Sequence, residues 1–239
     1  MAESGEKPWV LLIGGSFNPL HVGHLRIAIE SREMLNPDLT LFIPTASPPH
    51  KPDASLLPFS ERCDMLRQSL ALLPEEWNMA VSEVENERSG PSYTVDTLDV
   101  LAERFPDNRL VFVMGGEDYA NLSTWSRWRE LVIHADLAIV PRKEHGSESF
   151  DAVTVALWPG ALPLERPLPM VAHGFALPGC GRILYLPQPL LMISSSLVRQ
   201  RFVTGRSLDF MVPAPVLAGL EKEADSIRSS WKAEQRPGL

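Results

Sequence analysis

One segment near the amino terminus decides the fold: residues 9–25 have the sequence WVLLIGGSFNPLHVGHL. Trp9–Ile13 is a continuous apolar run, which is typical of a strand buried on both faces of a sheet. Two glycines and a turn-rich stretch follow, and a helical pattern then extends from Gly23 to Leu35. Leu39–Ile43 is apolar again. A strand, a helix and a second strand in this order predict a βαβ unit, and therefore a parallel sheet.

The same alternation continues along the chain. Further strands are expected at Met79–Val84, Leu110–Met114, Leu137–Val140 and Ile183–Leu186. Helices are expected at Ser60–Leu73, from Ser92 or Thr94 to Phe105, and at Trp125–Ile133, Ser194–Phe202 and Pro213–Ala224, with Ser60 and either Ser92 or Thr94 as capping residues. This order of elements predicts the α/β class, with a Rossmann-like, doubly wound parallel sheet.

We expect a single domain over residues 1–239, with its core at about 9–222. Residues 142–182 are rich in Pro, Gly and Ala and have no clean period. We interpret them as a long variable excursion, partly disordered, and not as a second domain. The residues after Ala224 are expected to form a polar tail.

The composition limits the class of partner. Lys and Arg total 22 against 30 Asp and Glu, for a formal net charge of -8. This balance argues against a nucleic-acid coat or a protein that binds anionic membranes, because both need a basic face. A small anionic ligand remains compatible, since its site needs only a few local cations and backbone N–H groups.

Cysteine usage and the first residues indicate the compartment. The two cysteines, Cys63 and Cys180, lie far apart, so a disulfide framework or structural zinc site is not expected. The polar residues 1–8 and the short apolar run after them do not fit a signal peptide or a membrane span. We therefore expect a cytoplasmic protein that does not contact the membrane.

The segment after the first strand is suited to binding phosphate. Gly14 and Gly15 let the backbone approach a phosphate chain, and they lie where open α/β sheets bind ligands. His21 and His24 are three residues apart with His24 at the start of a helix, so both can face one anion. The helix N-terminus adds N–H groups and partial positive charge. Neither GxxxxGK[ST] nor GxGxxG is present.

These residues carry a resemblance to a known family. Gly14–Leu25 resembles the GG[ST]F[DN]PxHxGHL signature of the HxGH nucleotidyltransferase superfamily, and Ile193–Arg199 resembles its second motif, ISSTxxR. The stretches Pro48–Lys51, Pro91–Leu98 and Thr124–Trp125 resemble the bacterial nicotinate-nucleotide adenylyltransferases in particular. The resemblance extends from about Val10 to Leu220.

The sequence departs from the family pattern in a few positions. Ser16, Asn18 and Ser196 stand where Thr, Asp and Thr are usual, and each keeps a polar side chain. The usual Gly-x-Asp after the fourth strand is replaced by Gly115-Gly116-Glu117-Asp118. The acidic contact to the nucleotide is therefore either Glu117 or Asp118.

The resemblance implies a site for ATP, with magnesium carried on its phosphates. His21 and His24 are expected at the phosphates, with His24 nearest the bond being made, and Arg199 at the β and γ phosphates. The remaining ATP contacts are Gly14, Gly15, Ser16, Phe17, Ser194, Ser195 and Ser196. No dedicated protein metal site is expected.

The resemblance also implies nicotinate mononucleotide as second substrate. Trp125 is the candidate stacking platform for the pyridine ring, although packing of Trp125 and Trp128 on one helix is an alternative. Helix-start amides near Tyr93, Thr94 and Thr97 are candidates for the nicotinate carboxylate. Asn18 and Lys51 complete this expected set. Lys51 is assigned to the mononucleotide phosphate, with a solvated surface lysine as the alternative.

Other functions stay open at this point. Within the superfamily, the chain could use nicotinamide mononucleotide or both mononucleotides. A pantetheine-phosphate adenylyltransferase or a cytidylyltransferase fits the Ser92-Tyr93-Thr94 stretch and the Thr124-Trp125 pair less well. A catalytically silent nucleotide-binding regulator would be expected to lose a phosphate-handling residue, yet His21, His24 and Arg199 are present. A nucleic-acid module does not fit the acidic composition.

Overall fold

The computed structural model describes residues 7–49, 56–141, 147–165, 171, 173–189 and 191–234. Its strands are β1 (Trp9–Gly15), β2 (Leu39–Pro44), β3 (Met79–Val81), β4 (Arg109–Gly115), β5 (Asp136–Val140), β6 (Leu162–Pro163), β7 (His173–Ala176) and β8 (Arg182–Tyr185). The α-helices are α1 (Val22–Leu35), α2 (Phe59–Leu70), α3 (Thr94–Arg104), α4 (Gly116–Ala120), α5 (Leu131–His134), α6 (Ser147–Leu157), α7 (Ser195–Val203), α8 (Ala214–Lys222) and α9 (Ala224–Glu234).

The strands form one sheet in the order β3-β2-β1-β4-β5-β8-β7-β6. β1 pairs in parallel with β4, β4 with β5, and β5 with β8, whereas β6 and β7 add an antiparallel edge. The predicted α/β class with a doubly wound, mostly parallel sheet is confirmed. The strand order reverses between β1 and β4, so their carboxyl ends at Gly14 and Gly115 mark a topological switch point, where such sheets bind ligands.

Strands β4 and β5 were predicted well because their sequences are apolar apart from Arg109 and Asp136 at their amino ends. All five residues of β5 are buried, and the five residues Leu110–Met114 of β4 are buried as well. Strands covered on both faces read as continuous apolar runs, which is the pattern that located them.

Several local predictions were wrong. Ser60 does not cap α2, which begins at Phe59 after Pro58, and no side chain caps α3, whose N-cap is Tyr93. Trp125–Ile133 is not one helix. It consists of an extended Trp125, a left-handed Arg127 (φ 46°), a 3₁₀ turn at Trp128–Glu130 and the short α5. A positive φ at a residue other than glycine breaks a helix, and nothing in the local sequence signals it.

The excursion predicted at residues 142–182 contains regular elements that the sequence did not indicate. Within its described part, α6 buries Phe150 and Thr154, and β6 and β7 form an antiparallel hairpin onto β8. The expected polar tail contains α9, which buries Ile227 and Trp231. Only these two large apolar side chains anchor α9, and their i, i+4 spacing was the available signal.

The chain forms two compact units, each built from three segments. Unit 1 comprises Met1–Gly14, Ile27–Leu41 and Tyr93–Leu191, and unit 2 comprises Gly15–Arg26, Phe42–Ser92 and Met192–Leu239. The chain therefore crosses from one unit to the other within β1, α1 and β2. A single domain over the whole chain stays a prediction.

In unit 1, the amino end of β5 is held by a buried carboxylate. Asp136 accepts hydrogen bonds from the Arg109 guanidinium on β4 (2.5 and 2.9 Å) and from the backbone N–H of Arg182 on β8 (2.6 Å). The Arg182 guanidinium donates two further hydrogen bonds to the same carboxylate (3.0 and 2.9 Å) and lies over the Trp9 ring. Asp136 is almost completely buried, so this pair of cations compensates the charge that folding removes from water.

Among the residues that the structure describes, no helix combines the length and the apolar sequence needed to cross a bilayer. The same residues contain no group of three or more His, Cys, Asp or Glu side chains placed to hold a metal ion.

Candidate active site

The loop after β1 is partly exposed at Gly15 and Ser16 and buried from Phe17 to Leu20. Phe17 is in the left-handed region (φ 44°), and its ring is almost fully buried edge-on to His24, with centroids 5.1 Å apart. Asn18 is 2% exposed; its Oδ1 accepts the Leu57 N–H at 2.9 Å. A left-handed residue in such a loop turns successive N–H groups toward one side, which is how backbone nests bind anions.

The structure brings His21 and His24 into direct contact. Their rings stack with centroids 3.6 Å apart, and the His21 backbone N–H donates to His24 Nδ1 at 3.2 Å. Because Nδ1 accepts this hydrogen bond, the neutral His24 ring carries its proton on Nε2 and can donate it to a ligand. His21 is 5% exposed, whereas His24 is partly exposed. His24 is thus the better placed of the two for contact with a substrate.

Gly23 is required by the packing of His21. A Cβ atom at position 23 would lie 2.9 Å from His21 Nδ1 and 3.0 Å from its Cε1. Atoms at these distances overlap, so the glycine between the two histidines lets the His21 ring lie against the first turn of α1.

The amino end of α7 contacts the same loop. Ser194 is the N-cap and accepts the Leu197 N–H (3.2 Å), while the Ser195 hydroxyl donates to the Pro19 carbonyl (3.0 Å). Arg199 donates to the Asn18 carbonyl at 2.8 Å and to Ser196 Oγ at 3.4 Å. Ser194 therefore caps α7, and Arg199 ties α7 to the loop.

Unit 2 thus places two helix N-termini beside one loop. A Cβ on Gly23, in the first turn of α1, would lie 3.6 Å from the Ile193 carbonyl, just before α7. Helix N-termini carry unpaired N–H groups and partial positive charge, so their convergence favours an anion with several oxygens. The predicted residues that unit 2 brings together are Gly15, Ser16, Phe17, Asn18, His21, His24, Ser194, Ser195, Ser196 and Arg199.

The other predicted residues with described positions lie in unit 1. Gly14 ends its first segment, and a Cβ there would lie 3.0 Å from the Phe112 ring. Tyr93 precedes α3 and Thr94 begins it, as expected for residues that present helix-start amides. Thr97 is buried, and its hydroxyl donates to the Tyr93 carbonyl at 3.3 Å, so its hydroxyl is engaged within α3.

The two tryptophans considered together have different environments. Trp125 is half-buried in extended backbone at the end of a 3₁₀ turn. Trp128 is 9% exposed, meets the Trp158 ring edge-on at 5.3 Å and lies under the Arg129 guanidinium at 4.1 Å. Trp128 is the packing residue, which leaves Trp125 as the candidate platform.

Glu117 and Asp118 are both exposed in the first turn of α4, directly after β4. A cavity of about 160 Å³ lies beside them in unit 1, a size that accommodates one aromatic ring. Its lining includes Glu117 but not Asp118, together with Tyr119, Ile139, Phe150 and Tyr185. The cavity is thus at the carboxyl ends of β4, β5 and β8, with α6 from the unpredicted segment as one wall.

Tyr119 is a fixed part of this wall. Thr154 Oγ1 donates to the Phe150 carbonyl (2.8 Å), so the hydrogen bond between Tyr119 Oη and Thr154 Oγ1 (2.7 Å) has Tyr119 as its donor. Burial raises the pKa of Tyr119 far above its usual value, which keeps the hydroxyl neutral. Burial also raises the pKa of Tyr185.

Lys51 lies outside the described residues.

A functional candidate that the sequence reasoning missed is Arg62 on α2, which donates to the Ser16 carbonyl in the loop after β1. Its signal was available, because Arg62 shares the buried stripe of α2 with Cys63, Leu66 and Ser69. A charged residue on an apolar helix face requires buried partners.

Comparison with known families agrees with this geometry. A model of the family described as cytidylyltransferase-like matches residues 12–201, which spans both the HxGH loop and α7. The chain is 37% identical over 221 residues to a protein of Pelobacter propionicus described as a probable nicotinate-nucleotide adenylyltransferase, covering 89% of this chain and 95% of that protein. The chain belongs to the nicotinate-nucleotide adenylyltransferase family.

Other members of the adenylyltransferase family extend this match. A protein of Pseudomonas syringae pv. tomato with the same description is 34% identical over 211 residues, covering 88% of this chain and 90% of that protein. The solved structure of Plasmodium falciparum nicotinic acid mononucleotide adenylyltransferase complexed with NaAD superposes with a TM-score of 0.68 at 16% identity, covering 90% and 95% of the two chains. At this identity the superposition shows the shared fold.

Proposed function

We propose that this chain transfers the adenylyl group of ATP to nicotinate mononucleotide, giving deamido-NAD and pyrophosphate in the biosynthesis of NAD. The observation that carries this proposal is the convergence of the amino ends of α1 and α7 on the His21–His24 loop, in a chain of the nicotinate-nucleotide adenylyltransferase family. Such an arrangement stabilises a crowded polyphosphate.

The reaction needs positioning and positive charge and requires no protein nucleophile. A phosphate oxygen of the mononucleotide attacks the α-phosphorus of ATP, and the bond to the β-phosphate breaks to release pyrophosphate. A phosphate monoester is largely dianionic at neutral pH, because its second pKa is about 6. The enzyme therefore contributes in-line orientation and neutralisation of the charge that develops on the leaving group.

In this mechanism His24 donates its Nε2–H to the α-phosphate, and the stacked His21 ring supports that orientation. The backbone N–H groups of the Gly15–Phe17 loop and the Ser194–Ser196 turn bind phosphate oxygens, with Gly14 at the entrance of the loop. Arg199 is assigned to the β and γ phosphates, because the planar fork of a guanidinium matches phosphate oxygens. Magnesium arrives as part of the MgATP substrate.

For the second substrate, Trp125 stacks on the pyridine ring and the helix-start amides at Tyr93 and Thr94 bind the nicotinate carboxylate. Thr97 supports this turn through its hydrogen bond to the Tyr93 carbonyl, and Asn18 and Lys51 are assigned to the mononucleotide. We assign the acidic nucleotide contact to Glu117, because Glu117 lines the cavity after β4 and Asp118 does not. We also propose a cytoplasmic location for the enzyme.

The test is pyrophosphate release from MgATP with nicotinate mononucleotide, nicotinamide mononucleotide and phosphopantetheine in parallel. We expect release with the nicotinate form and at least tenfold lower kcat/KM with the other two. Equal rates with both mononucleotides would show that the enzyme uses both substrates without selectivity. Release with phosphopantetheine alone would support adenylyl transfer but exclude nicotinate mononucleotide as the substrate. No release with any acceptor would favour a nucleotide-binding regulator.

A further inference from the structure

Arg62 is a buried cation whose guanidinium donates to backbone carbonyls. Its side chain is 2% exposed and lies over the Phe59 ring at 5.3 Å. Nε donates to the Leu57 carbonyl (3.0 Å), and Nη1 donates to the carbonyls of Ser16 (2.8 Å) and Thr45 (2.9 Å). One guanidinium therefore joins three separate segments of unit 2: the loop after β1, the end of β2 and the turn before α2.

Further hydrogen bonds hold the same loop against neighbouring segments of unit 2. The Gly15 carbonyl accepts the Thr45 N–H at 2.9 Å. The Thr45–Ala46 peptide is held at both ends, because Arg62 binds its carbonyl and the Glu85 carboxylate accepts its N–H at 3.1 Å. Asn18 Oδ1 accepts from Leu57, whose own carbonyl is bound by Arg62. The loop is thus fixed to a frame that has Arg62 at its centre.

Holding a carbonyl also orients the next N–H. In a planar trans peptide the C=O and N–H bonds point in opposite directions. When Thr45 and Arg62 bind the Gly15 and Ser16 carbonyls on the protein side, the N–H groups of Ser16 and Phe17 are directed the other way. Two consecutive N–H groups aimed in one direction form an anion-binding nest.

The guanidinium is suited to this task and a lysine is not. Burial lowers the pKa of Arg62, yet a guanidinium stays cationic at neutral pH, and Glu85 supplies a favourable negative charge nearby. Its planar fork reaches carbonyls in different directions from fixed positions, whereas a single ammonium nitrogen on a flexible stem cannot span the same three acceptors with the same geometry.

We propose that Arg62 is a positioning residue that holds the Gly15–Phe17 backbone in its anion-binding shape without touching the substrate. The proposal rests on the proposed function in so far as the anion is the polyphosphate of ATP. It predicts that the loss of the Arg62 guanidinium weakens ATP binding far more than mononucleotide binding.

The main experiment compares Arg62→Lys with Arg67→Lys. Arg67 lies on the same helix, but its side chain is exposed and pairs with Asp64 and Glu83. We expect Arg62→Lys to weaken MgATP binding, measured by calorimetry without acceptor, by about 10- to 100-fold. The KM for nicotinate mononucleotide should change less than twofold. Arg67→Lys should leave both quantities unchanged.

A purely structural role gives a different result. Arg62→Lys would then lower the fraction of folded enzyme and the apparent kcat, while the Kd for MgATP of the folded molecules would equal that of the unmodified chain. That outcome overturns the proposal. If the unmodified chain binds MgATP but releases no pyrophosphate with nicotinate mononucleotide, the proposed acceptor fails, and the calorimetric comparison still decides the role of Arg62.

Two further variants cover the case in which Arg62→Lys does not fold. Phe59→Leu keeps Arg62 and removes the ring beneath it, and we expect a 2- to 5-fold weaker MgATP affinity, as the loss of one cation–π contact implies. Arg62→Ala should regain MgATP affinity on addition of millimolar guanidinium but not of tetramethylammonium, which has no N–H donors. Unchanged affinity in Phe59→Leu together with no rescue of Arg62→Ala would also overturn the proposal.

Discussion

His24 Nδ1 accepts the backbone N–H of His21 while the two imidazole rings stack 3.6 Å apart. This relationship fixes both the orientation of His24 and the nitrogen that bears its proton. The functional nitrogen of the pair is therefore Nε2 of His24, which gives the first of five predictions.

Substitutions of His24 should distinguish the roles of its two ring nitrogens. His24→Ala should reduce kcat by about 100- to 1,000-fold, the loss expected when one transition-state donor is removed, with little change in Tm. His24→Gln, whose amide reaches the Nε2 position, should retain more activity than His24→Asn, whose amide reaches the Nδ1 position. Steady-state kinetics and thermal denaturation of the three variants test this. A large fall in Tm with full activity per folded molecule would make His24 structural instead.

Gly23→Ala should damage catalysis more than folding. The new methyl group would overlap the His21 ring, so the stacked pair has to shift, whereas alanine is by itself the better helix former by about 1 kcal/mol. We expect kcat/KM to fall at least tenfold. The matched control is Gly219→Ala in α8, where the methyl would meet only the flexible end of Met65. Equal and small effects of both substitutions on kcat/KM would show that the ring position is not critical.

Substitutions of Trp125 and Trp128 should affect different properties of the enzyme. Trp125→Ala should raise the KM for nicotinate mononucleotide several-fold with little effect on stability, because its ring is half-buried in extended backbone. Trp128→Ala should lower the free energy of unfolding by about 3–5 kcal/mol, since it removes a buried aromatic that contacts Trp158. Denaturant unfolding and acceptor titrations distinguish the two. The reverse assignment of effects would place the platform at Trp128.

Glu117 and Asp118 can be told apart by removing charge without changing size. Glu117→Gln should raise the KM for MgATP about tenfold, the loss of one charge-assisted hydrogen bond to the nucleotide. Asp118→Asn should stay within twofold of the unmodified chain, because Asp118 does not line the cavity after β4. If only Asp118→Asn has the effect, the acidic contact is the second residue of the pair.

The two cysteines should differ in reactivity with pH. Burial raises the pKa of Cys63 to about 11, so below that pH its thiol stays neutral, and at pH 8 only about one molecule in a thousand carries the thiolate. Cys180 is exposed. A disulfide reagent at pH 8 should therefore label one thiol per folded chain and two per unfolded chain. Cys180→Ser should abolish labelling of the folded form, and persistent labelling of that variant would show that Cys63 is accessible.

Sequence reasoning succeeded where an element has a continuous apolar sequence or a motif with fixed spacing. β4 and β5 are apolar apart from Arg109 and Asp136 at their amino ends, and the HxGH and ISSSLVR segments carry polar residues at fixed spacing, so these strands, α1 and α7 were located. The family match and the convergence of His21, His24 and Arg199 in unit 2 follow from the same segments.

Sequence reasoning failed where a few long-range contacts determine the structure. α6 is anchored by Phe150 and by Thr154, which bonds to Tyr119 from a distant segment, and no local pattern reveals such partners. Arg127 adopts a left-handed backbone that breaks the expected helix at Trp125. The burial of Arg62 could be inferred from the apolar stripe of α2, but its three carbonyl acceptors could not, because every residue has a carbonyl.

The division of each unit into three segments has a consequence for synthesis on the ribosome. Unit 1 requires residues up to Leu191 and unit 2 requires residues from the last segment, which begins at Met192. Neither unit can be completed from the growing amino-terminal half of the chain. A nascent chain therefore exposes the apolar strands β1 and β2 until most of the translation is finished, and we expect its dependence on chaperones to end only when the last helices emerge.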